Sequence, residues 1–249
     1  MAKASFTIAA MQLTDVPAIA ELAAQSFQGD RHTEMKSFGQ EPYNHEQTMR
    51  DIIPGFLDHP RLVCLKAIHA KSGEIMGYCI WGFRGFAPEE MPPVPGRMQP
   101  NELPPAKEAT ETASETKQES EDPIKRLNAM TGADMKAWAE EVMPPGVRCL
   151  YVSMLSVSPK FQGQGVGSAL LQWGLDYCNE HGVFAWVHSS DPAHGMYAKA
   201  GFHTVRSLDI TLDDYAPCPP PNEGPGACWG HYVFRYMKYM PRMADDRVG

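Results

Sequence analysis

The sequence predicts an α+β fold, and three observations carry the prediction. The element order begins strand, helix, helix, strand, strand, and the last two strand-like runs, residues 62–68 and 75–83, are joined by HAKSGE, a hairpin loop with a glycine. Further on, a glycine loop at residues 162–168 leaves a strand-like run and opens an amphipathic helix. Between these halves, residues 87–122 lose all periodicity. Neither flanking half looks complete alone, so a single domain over residues 1–249 is expected, with residues 87–122 inserted within it.

The elements follow in order. Residues 6–11 alternate as a strand. Thr14 or Asp15 then caps a helix with Pro17 in its first turn, and Ile19, Leu22, Ala23 and Phe27 share one apolar face. A loop with Gly29 and Gly39 leads to Asn44, with Gln47 three residues on, an approximate capping box. The helix beyond it buries Met49, Ile52, Ile53 and Phe56, and the hairpin comes next. Residues 87–122 are rich in Pro, Glu, Ser and Thr; with few large apolar side chains they cannot offset their ordering entropy, and a disordered acidic insertion is expected. Residues 124–142 regain helical spacing, with Thr131 and Asp134 expected to cap a second piece, and MPPG stops them. A strand over 149–157, the glycine loop, a helix to Glu180, a strand over 183–189 and a short helix over 193–199 follow. Residues 202–212 and 232–238 are the last strands, and 242–249 read as a flexible tail.

Composition bounds the function. Hydrophobic residues at 43% and charged residues at 21% are ordinary for a soluble globular protein. A net charge of −8 argues against nucleic acid as a partner and suits a cationic substrate. No stretch has the length of a membrane-spanning helix, and the N-terminus lacks a signal-peptide core, so no membrane partner and a cytoplasmic setting are expected, the nucleus remaining open. Four of the six cysteines sit in apolar segments as small hydrophobes. Cys218, Cys228 and His231 lie closer together but form no C-x-x-C pair, and no metal is expected.

Gly163, Gly165 and Gly167 crowd the mouth of a helix, where glycine costs helix stability. Free N–H groups at a helix start and the helix dipole make an anion site, and missing side chains let a pyrophosphate reach the main chain. Val166, Ala169, Leu170, Trp173 and Tyr177 supply a face to dock that helix on a sheet. A P-loop would need a lysine after Gly167, which is absent. A Rossmann loop would need G-x-G-x-x-G, and the spacing here is G-x-G-x-G.

Gln162, Gly165 and Gly167 instead form Q-x-x-G-x-G, preceded by LSVSP. This resembles the acyl-CoA pyrophosphate loop of the GNAT superfamily of N-acetyltransferases. SSDPAHGMYAKAGF resembles the second signature of that superfamily, a short helix with a tyrosine shortly before Gly-Phe; Tyr197, Gly201, Phe202 and Ala193 fit it. Ser190 stands where the family often has asparagine. The element order also matches, leaving residues 87–122, residues 124–142 and the proline-rich stretch before Tyr232 outside the usual core. The resemblance implies the GNAT fold, a mixed, mostly antiparallel central sheet flanked by helices.

It also implies roles. Acetyl-CoA would be the co-substrate, its pantetheine arm pairing with the main chain of Leu155 and Val157. Its pyrophosphate would sit on N–H groups of Gln162, Gly163, Gln164, Gly165, Val166, Gly167 and Ser168. Lys160 would either help neutralise the phosphates or stay a solvated surface lysine. Tyr197 would be the general acid toward the CoA sulfur, set against a tyrosine merely packed at a helix end. Many GNAT enzymes use a glutamate on the CoA strand or ordered waters as base, but LYVSMLSV holds no carboxylate. His188, whose imidazole titrates ordinarily near pH 6.5, is the candidate base, with a purely structural strand histidine as the alternative; Asp191 and His194 are weaker candidates. Asp30, Asp213 and Asp214, in the loops that wall the acceptor site of this fold, are candidates to attract an amine.

The leading expectation is an N-acetyltransferase acting on a primary amine of a small molecule. The alternatives are a protein N-terminal or lysine acetyltransferase, a CoA-binding module without transfer activity, and a scaffold built around the acidic insertion. GNAT proteins often form homodimers, and nothing in the sequence identifies a face for one.

Overall fold

The computed structural model describes residues 5–94, 122–221 and 223–241. The expected tail, 242–249, and residues 95–121 of the expected insertion lie outside them.

The first strand, β1 (Phe6–Ala10), leads into α1 (Val16–Ser26), α2 (Arg31–Lys36) and α3 (His45–Asp58). The hairpin is β2 (Leu62–His69) and β3 (Ile75–Arg84). After the gap come α4 (Pro123–Val142), β4 (Cys149–Val157), α5 (Val166–His181), β5 (Phe184–Ser189), α6 (His194–Lys199), β6 (His203–Thr211) and β7 (His231–Tyr239). The seven strands form one sheet in the order β1-β2-β3-β4-β5-β7-β6. Every neighbouring pair is antiparallel except β4 with β5. The expected mixed, mostly antiparallel sheet is the one observed.

The period-2 alternation of β3 sorts its side chains between two cores. Cys79, Trp81 and Phe83 pack with Leu170, Leu171 and Leu175 of α5. Tyr78 and Ile80 pack on the other face with Ile19 and Ala23 of α1 and Ile53 of α3. The α5 contact is close. The Trp81 indole donates to the Leu170 carbonyl at 3.3 Å. A Cβ at Gly174 would lie 2.3 Å from the same ring. The helix therefore docks further round than the expected face: Gly167, Leu171, Gly174 and Cys178 are buried, while Trp173 is only half-buried.

Three local expectations need correction. The expected loop between Gly29 and Gly39 contains α2, six residues long and too short to show a period, capped by the Asp30 carboxylate accepting from Thr33 N at 2.9 Å. The segment after the insertion is one helix, not two. Its cap is Asp122, accepting from Ile124 N at 2.9 Å; the Thr131 hydroxyl donates back to the Leu127 carbonyl at 2.9 Å, and Asp134 is taken by Arg206 and Tyr236. Third, the low-complexity stretch is ordered at its edges. Val94 is buried, the Glu90 carbonyl accepts from the Tyr177 hydroxyl at 2.7 Å, and the Glu90 carboxylate pairs with Arg148 at 2.7 Å. Composition concealed the Glu90 carbonyl contact in particular, because a backbone carbonyl binds without regard to its side chain.

Strand β4 positions the site. Ile80 pairs with Met154 and Trp81 with Val152, so Ser153 is an extra, bulged residue. At this point β4 also leaves β5: the parallel pairing covers only Cys149–Val152 against Phe184–Val187. Beyond it β4 stays with β3 as far as Val157, and β5 stays with β7 through Ser189. The sheet opens as a wedge between them.

Candidate active site

The wedge continues into two clefts. The larger, about 700 Å³, is bounded by Leu155 and Val157 of β4, the glycine loop, the end of α1 and the start of α6. The smaller, about 170 Å³, lies where β4 and β5 diverge and reaches Tyr78 and α3.

Gly163 (φ 74°) and Gly165 (φ 88°) both adopt the left-handed region that disfavours a side chain, and Gly165 is the N-cap of α5. At Gly167 the constraint is space, since a Cβ would meet Met196 Sδ at 3.0 Å and Val157 Cγ2 at 3.3 Å. The first i→i−4 bond of the helix is Ala169 N to the Gly165 carbonyl at 3.0 Å, so the N–H groups just before it have no α-helical acceptor. Gln162 Nε2 ties the loop back to the Val157 carbonyl at 3.1 Å. Leu155, Val157, Gln162, Gly163, Gly165, Val166, Gly167 and Ser168 all line this cleft. Gln164 does not; its side chain donates to the Lys160 carbonyl at 2.9 Å. The Lys160 ammonium pairs with Glu74 at 3.1 Å, and the cation lining the cleft is Lys199. A cleft this size, with a glycine cradle at one end and an unpaired strand edge along its side, fits a CoA in shape and chemistry.

Tyr197 lines the smaller cleft, buried, with desolvation pushing its phenol pKa well up, so the group holds its proton. His188 lines the same cleft but is stacked between Phe234 and Tyr236, with centroids at 4.6 and 4.7 Å. Its Nε2 is buried without a partner. Burial pushes its pKa down to about 4, with Asp134 opposing, which leaves a weak proton acceptor.

The three acidic candidates separate. Asp30 lines the larger cleft but is buried, capping α2 and accepting from Tyr232 Oη at 2.7 Å. Asp213 holds the chain before β7, accepting from Trp229 N and Gly230 N at 2.8 Å each. The Asp214 carbonyl accepts from Arg126 at 3.3 Å, and neither Asp213 nor Asp214 lines either cleft. Acidic composition alone cannot distinguish a ligand carboxylate from one that pins a loop.

Sequence reasoning missed Phe27, which lines both clefts, and His45, which lines the smaller. Phe27 was legible only as one more apolar residue on α1, and His45 only as the residue after a cap. Among the described residues no three His, Cys, Asp or Glu side chains gather as a metal site, and no helix is long and apolar enough to cross a membrane.

Residues 100–202 match the family model described as the acetyltransferase (GNAT) family. No curated protein matches the chain by sequence. Among solved structures, arylalkylamine N-acetyltransferase 2 from Aedes aegypti aligns with TM-score 0.56 at 14% identity, covering 96% of this chain and 100% of its own. The polyamine N-acetyltransferase of Drosophila melanogaster aligns with TM-score 0.52 at 14% identity, over 95% and 100% of the two chains. A Corynebacterium glutamicum protein described as histone acetyltransferase HPA2 and related acetyltransferase gives TM-score 0.52 at 17% identity, over 96% and 98%. At these identities the likeness is one of fold. With the family match across the glycine loop and the shared sheet, the chain has the GNAT fold, and its residues 100–202 match the GNAT acetyltransferase family.

Proposed function

We propose that the protein transfers an acetyl group from acetyl-CoA to the primary amine of a small molecule with a compact apolar body. The observation that carries this reading is the parting of β4 from β5 beside the glycine loop, with a protonated, buried tyrosine at the divergence. Main-chain groups of Leu155 and Val157 would hold the pantetheine arm, N–H groups from Gly165 to Ser168 the pyrophosphate, and Lys199 would offset phosphate charge. Acetyl-CoA supplies the thioester when bound. Tyr197 would give its proton to the departing sulfur.

The acceptor class follows from the smaller cleft. Its lining includes Phe27, Met49, Tyr78 and Tyr197 and no Asp, Glu, Lys or Arg. Its volume of about 170 Å³ is close to an engineered cavity of about 150 Å³ that accepts benzene. A body the size of one ring suits such a space, and a polycation would have no countercharge there.

The test is calorimetric titration with acetyl-CoA, desulfo-CoA and NADPH, on the parent protein and Gly165→Val. Selective binding of the two CoA compounds by the parent, lost in a variant whose circular dichroism is unchanged, is the expected result. Acetyl transfer to 2-phenylethylamine should exceed transfer to spermidine. A folded parent that binds no CoA compound would sink the reading.

A further inference from the structure

An amine arriving as an ammonium ion must lose a proton before it can attack, and the sequence-based base candidate is poorly placed for that. His45, the first residue of α3, lines the smaller cleft and packs against Phe27 with ring centroids 4.6 Å apart. Its Nδ1 lies 2.7 Å from the Tyr43 hydroxyl. The neighbouring Thr48 hydroxyl donates to the Asn44 carbonyl at 2.9 Å.

A base at this position needs the tautomer in which Nδ1–H donates to the Tyr43 oxygen, leaving Nε2 an unprotonated lone pair. That Nε2 has no hydrogen-bond partner among the described residues, and it is not among their buried, unpartnered polar atoms. With Nδ1 spent on Tyr43, it is the nitrogen left for a ligand.

The other titratable groups of the cleft are worse acceptors. Tyr78 and Tyr197 hold their protons, both pushed up by burial, and the Nε2 of His188 is buried. Burial lowers the His45 pKa, with Lys36 of α2 lowering it further and Asp30 opposing, so the ring is uncharged at neutral pH.

We infer that His45 is the general base of the transfer and Tyr43 the residue that positions it, an inference that rests on the acetyltransferase reading above. The amine nitrogen forms its bond to the acetyl carbon as the carbon–sulfur bond breaks. Of the two protons lost by the ammonium, one passes through His45 Nε2 to solvent. The other is balanced by the proton that Tyr197 gives to sulfur, the phenolate being reprotonated from water.

The experiment measures kcat/KM against pH with acetyl-CoA and 2-phenylethylamine, for the parent, His45→Gln and Tyr43→Phe, with acetyl-CoA affinity taken by calorimetry. General-base loss typically costs 10²–10⁴-fold, so His45→Gln should fall about 100-fold at pH 7 with acetyl-CoA affinity unchanged. The deficit should shrink as pH rises and free amine forms in water. Tyr43→Phe keeps the ring and its packing and serves as the second arm. Its kcat should drop about 10-fold with the amine KM unchanged, and its acid limb should move to lower pH because the imidazolium loses an acceptor. A His45→Gln enzyme at parental rate, or one impaired equally at every pH, would overturn the base. A parent that binds acetyl-CoA and transfers to no amine would overturn the proposed function, and the base with it.

Discussion

Burial holds His32 and His188 neutral, each with a pKa pushed down to about 4 by desolvation and each with a buried, unpartnered Nε2. His32 packs on Tyr232 and Phe234, and His188 stacks on the same Phe234. The pH consequence has a definite sign. Above about pH 6.5 neither state binds a proton at these rings, and stability is flat. Between about 6.5 and 4 the unfolded chain binds protons that the folded chain refuses, so stability falls as pH falls. Chemical denaturation at pH 7, 6 and 5 should show a loss of a few kcal/mol, and His32→Phe should flatten that acid slope; a slope unchanged in the variant would place the cause elsewhere. These two residues also show what the sequence left hidden. The glycine positions were legible because three glycines at a helix mouth have few uses, whereas a histidine on a strand or short helix looks alike whether it faces ligand, solvent or an aromatic neighbour. His45 was hidden for the same reason: its partner Tyr43 precedes the helix, where no period connects the two.

Among the elements, α5 carries the glycine cradle, and its seat on the sheet fixes where the cradle lies. Trp81 fills the groove left by Gly174 and bonds the Leu170 carbonyl. On propensity alone Gly174→Ala should stabilise a helix by up to about 1 kcal/mol. The added Cβ would instead stand 2.3 Å from the indole, and overpacking of this kind costs roughly 1–3 kcal/mol. The variant should therefore unfold at lower urea than the parent; a gain in stability would mean that Trp81 moves at no cost. The existence and order of the main elements followed from hydrophobic period and turn residues. The rotation of α5 about its axis did not, because which glycine faces the sheet depends on a partner 93 residues away in the chain, at Trp81.

Across the whole molecule, α4 closes the far half of the sheet. Ile124 and Leu127 pack with Met35, Leu212 and Trp229, while Trp138 and Val142 pack with Trp186 and Tyr236. This helix lies outside the usual core that the family resemblance suggested, yet it joins α2, β5 and β7. Removing residues 87–122 as one block takes away Val94, the Glu90 carbonyl bonded to Tyr177 and the Asp122 cap together. At about 1 kcal/mol each for the bond and the cap and about 1.5 for the side chain, the loss is roughly 3–4 kcal/mol, or a Tm lower by about 10 °C. Exchanging residues 95–121 for a Gly–Ser linker of equal length should leave Tm within about 2 °C; an equal fall in both deletants would mean that these contacts do not account for it.

The wedge between β4 and β5 has a further meaning for how the molecule coheres. Only four register pairs stitch the β5-β7-β6 half of the sheet to the rest. Past Val152 the sheet carries an edge in its own interior, the kind of surface on which foreign strands polymerise. Here that edge is sunk between the end of α1 and the start of α6, where a slender thread of amide groups can lie along it. The co-substrate would then act as an eighth strand that exists only during turnover. Amide exchange along Met154–Val157 should slow on its arrival, and the protein would be most nearly a single sheet at the moment it is loaded.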